Sequence, residues 1–316
     1  MPGPSLVTGG AGFAGSHLIE HLIESGTPVA AWSRGGGRPP AEAPPGVRWT
    51  AVDLLDRGAV REAVAALRPS VIYHCAGIAH VGNSWTDPAR PLQVNVLGTH
   101  HVLEAVREAG LACPVLVTGS ALVYRPSSEP MAEDDPLGPA DPYGVSKLAQ
   151  ETLAVRAGGV AVFVVRPFNH AGPRQSDAYV TSSFARQVAE IEAGRREPVL
   201  RVGNLEARRD ITDVRDTVRA YALVVSRGRV RRPYNVCSGQ AYRVRDLLHA
   251  LVGMSSTSIR IEVDPARLRP SDIPTLSGSR ARIAEDTGWE PRIPIERTLR
   301  DLLDYWRTRT RHSPPA

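Results

Sequence analysis

In the run Asp141-Pro142-Tyr143-Gly144-Val145-Ser146-Lys147, a tyrosine and a lysine stand four residues apart. On a helix that spacing puts both side chains on one face. A lysine cation beside a phenol favours the phenolate. It brings a group whose ordinary pKa is about 10 closer to neutrality, where it exchanges a proton with a hydroxyl or a ketone. Ser120 lies just beyond the β-branched run Val115–Thr118 and can hydrogen-bond the same oxygen. A tyrosine and a lysine at this spacing arise often by chance. Ser120, Tyr143 and Lys147 in that order, at a strand end and a helix start, form a much more specific catalytic set.

A second constellation opens the chain. Thr8-Gly9-Gly10-Ala11-Gly12-Phe13-Ala14-Gly15 follows the apolar run Ser5–Thr8 and leads into a segment of helical period. Small residues let the backbone turn tightly, approach a pyrophosphate and pack helix on sheet, while the helix N-terminus offers N–H donors to negative charge. Gly9, Gly12, Phe13 and Ala14 are therefore candidate dinucleotide contacts. An NAD site usually has an acidic residue about 20 positions on, for the ribose hydroxyls. Here that place reads Trp32-Ser33-Arg34. With no carboxylate to repel it and a guanidinium able to bond it in pairs, a 2′-phosphate is admitted. Ser33 and Arg34 thus point to NADP(H) in preference to NAD(H); the competing reading is that Arg34 merely starts a solvated loop. Asp53-Leu54 is placed to face the adenine, and Cys75-Ala76-Gly77 to bring Ala76 beneath the phosphates. His74 reads as a core histidine.

These residues need a scaffold that gathers them. The first half of the chain alternates β-branched runs with segments of helical period: a helix over 13–25, a strand over 28–32, a helix over 59–67 and a strand over 71–73. The alternation continues with a helix near 94–109, a strand at 115–117, a helix over 143–157 and a strand over 161–166. It predicts an α/β fold with a doubly wound parallel sheet. Residues 35–46, with three consecutive glycines and four prolines, read as a loop. After Arg166 the rhythm breaks, with turn residues at Gly172-Pro173-Arg174-Gln175, helices near 183–192 and 214–225, and a short strand at 234–236. The organisation this predicts is a dinucleotide-binding domain over 1–168 with return segments from about 211–240, and a smaller interleaved C-terminal α/β lobe over most of 169–316. Ligands would lie between them, beyond the carboxyl ends of the strands.

Composition agrees with a globular enzyme. The 316 residues are 42% hydrophobic and 22% charged, enough apolar material for a large core. No apolar run is long enough to span a bilayer, and the start lacks the pattern of a secretion signal, so a cytoplasmic protein is expected. Cys75, Cys113 and Cys237 are too widely spaced for a zinc site; no metal is expected. The charge of +5 is spread along the chain, and 5% aromatic residues leave little stacking surface, which argues against nucleic acid as a partner.

The motifs taken together resemble the extended short-chain dehydrogenase/reductases, also called NAD-dependent epimerase/dehydratases, over essentially the whole chain. The likeness is carried by Gly9, Gly12 and Gly15, by Val94-Asn95-Val96-Leu97-Gly98-Thr99, by Ser120, Tyr143 and Lys147, and by Arg166-Pro167-Phe168-Asn169-His170. It implies a Rossmann-like fold, Asn169 on the substrate diphosphate, Pro167 and His170 bordering the nicotinamide, and Tyr143 and Lys147 at the nicotinamide ribose. Asn95 can equally hold a local kink. A homodimer built on the helices near 94–109 and 143–157 is implied as well. In the second lobe, the stretches 202–210, 212–216 and 235–239 resemble the GDP-6-deoxy-4-keto-mannose reductases and the GDP-mannose 4,6-dehydratases. By that likeness Arg209 and Arg269 clamp the diphosphate, Asp272 meets the nucleotide ribose and Asn204 joins the substrate site. The alternative for each arginine is an exposed salt bridge.

A 4,6-dehydratase needs a further acid and base to expel water, and this family places an acidic residue two positions after the catalytic Ser or Thr. Here the sequence is Ser120-Ala121-Leu122. Leu122 can neither donate nor accept a proton, which speaks against dehydration, although the reductases often keep a glutamate there too. The favoured reaction is NADPH-dependent reduction of a GDP-4-keto-6-deoxyhexose to a GDP-6-deoxyhexose such as GDP-rhamnose. Tyr143 would protonate the C4 oxyanion and Ser120 would position it. The alternative is a nucleotide-sugar 4-epimerase holding NAD tightly, which Ala121-Leu122 suits equally. A sensing module without chemistry is disfavoured, because such modules commonly lose the tyrosine or the lysine and this chain has both.

Overall fold

A computed structural model describes residues 3–34, 43–79, 81–267 and 273–312. The β-branched runs become strands β1 (Ser5–Thr8), β2 (Val29–Ser33), β3 (Arg48–Ala51), β4 (Val71–His74), β5 (Val115–Thr118) and β6 (Val162–Pro167). Between them lie helices α1 (Phe13–Glu24), α2 (Arg57–Leu67), α3 (Val81–Thr86), α4 (Ala89–Pro91), α5 (Gly98–Glu108) and α6 (Pro142–Arg156). The second half adds β7 (Asn169–Ala171), α7 (Val180–Glu192), β8 (Val199–Val202), β9 (Arg208–Asp213), α8 (Val214–Arg227), β10 (Pro233–Val236) and β11 (Ala241–Arg243). It closes with α9 (Val244–Val252), β12 (Arg260–Val263), β13 (Thr275–Leu276), α10 (Ala281–Thr287) and α11 (Ile295–His312).

Seven strands form one parallel sheet in the order β10-β6-β5-β4-β1-β2-β3. Strands β1 and β5 are buried at every residue, as central strands covered on both faces must be, whereas edge strand β3 is half exposed. One face is packed by Val60 and Val64 of α2 with Val102 and Val106 of α5. The other is packed by Leu18 and Leu22 of α1 with Val218, Tyr221 and Val224 of α8. Because every strand runs the same way, all carboxyl ends share one edge, and the order reverses between β1 and β4, the place where such sheets bind ligands.

Strand β10 reaches this sheet only after the chain has visited the smaller lobe; its Tyr234 pairs with Val165. Phe168 alone separates β6 of the large sheet from β7, which pairs with β9, so the crossing from one lobe to the other happens beside the ligand-binding edge. In the smaller lobe β9 also pairs antiparallel with β11 and parallel with β13, β8 pairs with β12, and α7, α9 and α11 bury Phe184, Leu248 and Leu302 together.

One expected helix is different. The segment near 94–109 is not a single α-helix: Leu92–Leu97 is π-helical and α5 begins at Gly98. Two tertiary contacts accompany the wider turn. Asn95 is pulled onto the backbone of Ile78, and Gly98 packs so closely on Leu54 that an added Cβ would lie 3.0 Å from the leucine Cβ. The loop read at 35–46 falls largely outside the described residues. Among the described residues no helix is long and apolar enough to cross a membrane, and no group of three His, Cys, Asp or Glu is placed to hold a metal.

Candidate active site

The chain leaves β1 through Gly9 at φ +67°, and a Cβ on Gly9 would lie 2.7 Å from the backbone of Ala76. A Cβ on Gly15 would lie 2.2 Å from the Gly9 carbonyl oxygen. The loop, the start of α1 and the end of β4 therefore touch backbone to backbone, which only glycine permits. Gly12 caps α1 without a side chain, so the first turn's N–H groups keep no side-chain acceptor and the positive end of the helix is presented to a ligand anion. At the end of β2 the Ser33 hydroxyl is buried without a hydrogen-bond partner, and exposed Arg34 follows it. Asp53 is exposed and its Oδ1 accepts the Leu55 N–H at 3.0 Å. The Leu54 carbonyl accepts from His101 Nδ1 at 2.7 Å, and the Ala76 N–H donates to Thr8 Oγ1 at 3.2 Å. The sequence-derived cofactor residues thus gather at the carboxyl ends of β1 to β4. Glycines that only a close-lying ligand or backbone explains, together with an orphaned hydroxyl at the ribose position, fit a dinucleotide.

The catalytic set is assembled by the start of α6. Asp141 caps that helix, its Oδ1 accepting the Gly144 N–H at 2.8 Å, and Pro142 occupies the first turn. Gly144 then packs against the 3₁₀ turn Ala121–Val123 so tightly that a Cβ would meet the Leu122 carbonyl oxygen at 2.4 Å. That contact brings Ser120 and Tyr143 together, close enough for the serine hydroxyl to draw the phenol down. One turn on, Lys147 Nζ donates to the Thr118 carbonyl at 2.8 Å and to Gln150 Oε1 at 2.9 Å, and lies 6.0 Å from the centre of the Tyr143 ring.

The electrostatics depart from the sequence expectation. Burial pushes the Tyr143 phenol well above the usual tyrosine range, and the Ser120 hydrogen bond only partly opposes it. Lys147 does not win this contest, because its ammonium is turned onto Thr118 and Gln150 and is itself lowered to about 8 by burial. Burial therefore favours the neutral form of the phenol.

Across the sheet edge, the His170 ring stacks on Phe13 of the glycine loop, with centroids 5.5 Å apart and planes 4° apart, and Nδ1 bonds the Phe168 carbonyl at 3.1 Å. Pro167 ends β6, and Asn169 opens β7 with a buried Oδ1 that has no partner. Asn204 is exposed in the β8–β9 turn, its Oδ1 accepting the Glu206 N–H at 2.9 Å. Arg209 lies on β9, two residues ahead of Ile211, the partner of Asn169, and donates to the carbonyls of Arg208 and Pro274. Arg269 and Asp272 fall outside the described residues.

Asn95, read from the sequence as part of the family likeness or as holding a kink, also belongs here, with two residues that the sequence reading passed over. Asn95 does more than hold a kink: it joins Ile78 to Ser146 of α6, donating to Ser146 Oγ at 2.9 Å. Gln150 meets Lys147 from the same helix, a contact that their spacing of three could have suggested. Tyr179 crosses from the smaller lobe to the Ala79 carbonyl at 3.4 Å and adds to the upward pressure on Tyr143; no local pattern marks it.

Comparison with known proteins agrees with this geometry. Residues 6–302 match the family described as GDP-mannose 4,6 dehydratase. The chain is 38% identical over 311 residues to the GDP-6-deoxy-D-mannose reductase of Pseudomonas aeruginosa, covering 96% of this chain and 97% of the relative. Among solved structures, that of RMD from Pseudomonas aeruginosa complexed with NADPH superposes with a TM-score of 0.85 at 35% identity, covering 97% of this chain and 99% of the other. The Thermus thermophilus UDP-glucose 4-epimerase complexed with NAD gives 0.85 at 30% identity, covering 96% and 98%.

Proposed function

The chain belongs to the GDP-mannose 4,6 dehydratase family, and from that premise we propose that it is an NADPH-dependent reductase of a GDP-4-keto-6-deoxyhexose, giving a GDP-6-deoxyhexose such as GDP-rhamnose. Bound NADPH supplies the hydride to C4. Tyr143, held as a neutral phenol by burial, gives its proton to the C4 oxygen, and Ser120 hydrogen-bonds that oxygen as charge develops on it. Lys147 places a positive charge beside them. Asn169 and Arg209 offer N–H donors toward the sugar diphosphate, and Ser33 and Arg34 toward the 2′-phosphate. Residues 1–168 with 211–240 serve as the cofactor domain and the rest mostly as the substrate lobe; β10, which returns to the large sheet, supports that division.

The observation that carries the reading is the buried Ser120–Tyr143–Lys147 group with apolar Leu122 in the adjoining turn. The reductase from Pseudomonas aeruginosa supports it. In the test, wild type consumes NADPH with a GDP-4-keto-6-deoxy sugar, and Tyr143→Phe loses about 10²–10⁴-fold in kcat while its NADPH affinity stays within a few-fold. A protein that binds NADPH but oxidises none with such sugars refutes the reading. The epimerase alternative, kept alive by the NAD-bound Thermus relative, predicts stoichiometric NAD released from the denatured protein and no net cofactor consumption. We place the enzyme in the cytoplasm as a homodimer; exposed Leu97 and Val145, on the π-helical segment and α6, support the dimer.

A further inference from the structure

Lys147 is the only lysine in the chain; every other residue among its 38 Lys and Arg is arginine. Arginine stays charged wherever it is put, whereas a buried lysine can lose its proton, so the one lysine stands where the charge state depends on the surroundings. An ammonium has three donors and no acceptor. Here two donors go to the Thr118 carbonyl and to Gln150 Oε1.

Gln150 is fully buried, and the direction of its amide is forced. Lys147 only donates, so the carbonyl end must face it and the NH₂ end must find an acceptor elsewhere. Gln150 Nε2 donates to Thr99 Oγ1 at 2.7 Å. The Thr99 hydroxyl gives its own proton to the Asn95 carbonyl at 2.6 Å, leaving its lone pairs for Gln150 and for His74 Nε2 at 3.0 Å. That fixes the imidazole with its proton on Nε2. His74 Nδ1 then accepts from Thr8 Oγ1 at 2.8 Å, and Thr8 Oγ1 accepts the Ala76 N–H. Thr8, His74 and Thr99 are also fully buried, so reversing the Gln150 amide would set its NH₂ against the ammonium and its oxygen against the Thr99 lone pairs.

We propose that Gln150 is a positioning residue for Lys147, keeping the ammonium charged and aimed, with its amide locked by a buried chain running through Thr99 and His74 to Thr8 at the base of the glycine loop. The groups facing Lys147 leave this task to neutral acceptors. From β4 and its following loop come His74, held down to about 3 by burial and by Lys147, and Cys75, pushed up to about 12 by burial; from α6 itself comes the neutral phenol of Tyr143. Glu151, on the same helix, is taken by Arg166. Burial pulls Lys147 to about 8, opposed by Cys75, and the Thr118 carbonyl and Gln150 Oε1 are the two acceptors that its ammonium bonds.

The inference rests on the reading of Ser120, Tyr143 and Lys147 as the active site, yet it can be tested without turnover. Lysine-selective ¹³C labelling gives a single side-chain resonance in this chain, and its pH titration reports Lys147 directly. Gln150→Leu is expected to lower the midpoint by about one pH unit, the scale of one charge-assisted hydrogen bond, and Gln150→Glu to raise it. Thr99→Val, which unlocks the amide without touching the lysine, is expected to lower it by less. The alkaline limb of kcat for keto reduction should move in the same directions. Midpoints that stay at the wild-type value in folded Gln150→Glu and Thr99→Val overturn the proposal. Failure of every 4-keto sugar to react overturns the reductase reading instead, and leaves the titration to be judged alone.

Discussion

Behind the catalytic set lies a buried ion pair whose removal has a calculable cost. Arg166 Nη2 and Nε bond the two Glu151 oxygens at 2.6 and 2.9 Å, with both side chains under 9% exposed. Arg166 Nη1 donates to the Tyr124 hydroxyl at 2.7 Å and to the Glu133 carbonyl at 2.9 Å, and the guanidinium lies 4.9 Å from the centre of the Tyr124 ring. Glu151→Ala leaves that cation desolvated and unpaired, at a cost of about 3–5 kcal/mol. For a chain of 316 residues, with an unfolding entropy of about 2 cal/mol/K per residue, this corresponds to a fall in Tm of about 5–8 °C. The Glu151→Leu/Arg166→Met double variant removes both charges. It leaves only the Glu133 carbonyl without a donor, since the Tyr124 hydroxyl still donates to Asn235 Oδ1 at 2.7 Å, at about 1–3 kcal/mol, so it should melt above the single variant. Circular dichroism and tryptophan fluorescence melts of the three proteins decide the matter. A single variant that melts within about 1 °C of wild type would show the pair to behave as an exposed one, and a double variant below the single would show that packing, not uncompensated charge, sets the cost.

Two further outcomes follow from equally local geometry. Gly15→Ala forces a Cβ to within 2.2 Å of the Gly9 carbonyl and should weaken NADPH binding at least a hundredfold in a fluorescence titration; unchanged affinity would mean that the loop does not hold the cofactor. His17 is lowered by burial from 6.5 to about 4, so the unfolded chain binds more protons between those values; the stability it contributes is complete above about pH 6.5 and is lost as pH falls toward 4. Between pH 6.5 and 5 wild type should lose about 1.5 kcal/mol more than His17→Gln in urea unfolding, and equal losses would refute the assignment.

What the sequence displayed was what repeats or sits locally. Alternating apolar runs announced the sheet, Thr8 to Gly15 announced the phosphate loop by its position after the first strand, and the four-residue spacing of Tyr143 and Lys147 announced a shared helix face. Contacts that close over long separations leave no such mark. Thr8, His74, Thr99 and Gln150 meet only because β1, β4 and α6 converge on the helical stretch that includes Asn95, and His74 read alone is indistinguishable from any core histidine. The π-helical turn at Leu92–Leu97 is equally hidden, since its period depends on what Asn95 and Gly98 touch. The direction in which Tyr143 is shifted is hidden for a related reason: helix spacing shows that a cation is near, but burial, which raises the phenol, belongs to the folded chain.

The carboxylates around Tyr143 narrow the chemistry within a family that contains both dehydratases and reductases. Expelling water from a hexose needs an acid and a base beyond the hydride site, and among the described residues the carboxylates of Asp141, Glu151 and Glu133 are already engaged. Asp141 is spent on the Gly144 N–H and is raised by burial; Glu151 is spent on Arg166; Glu133 accepts the Asn235 N–H at 2.9 Å and faces Arg282. Leu122, in the turn that touches Gly144, adds none. A keto reduction asks for one proton delivered to one oxygen, which Tyr143, favoured in its neutral form by burial and set beside Ser120, is placed to provide. A dehydration drawing on any of these three carboxylates would take it from a partner on which α6, the Arg166 cation or β10 depends, pairing activity with a loss of stability that the reductase reading does not require.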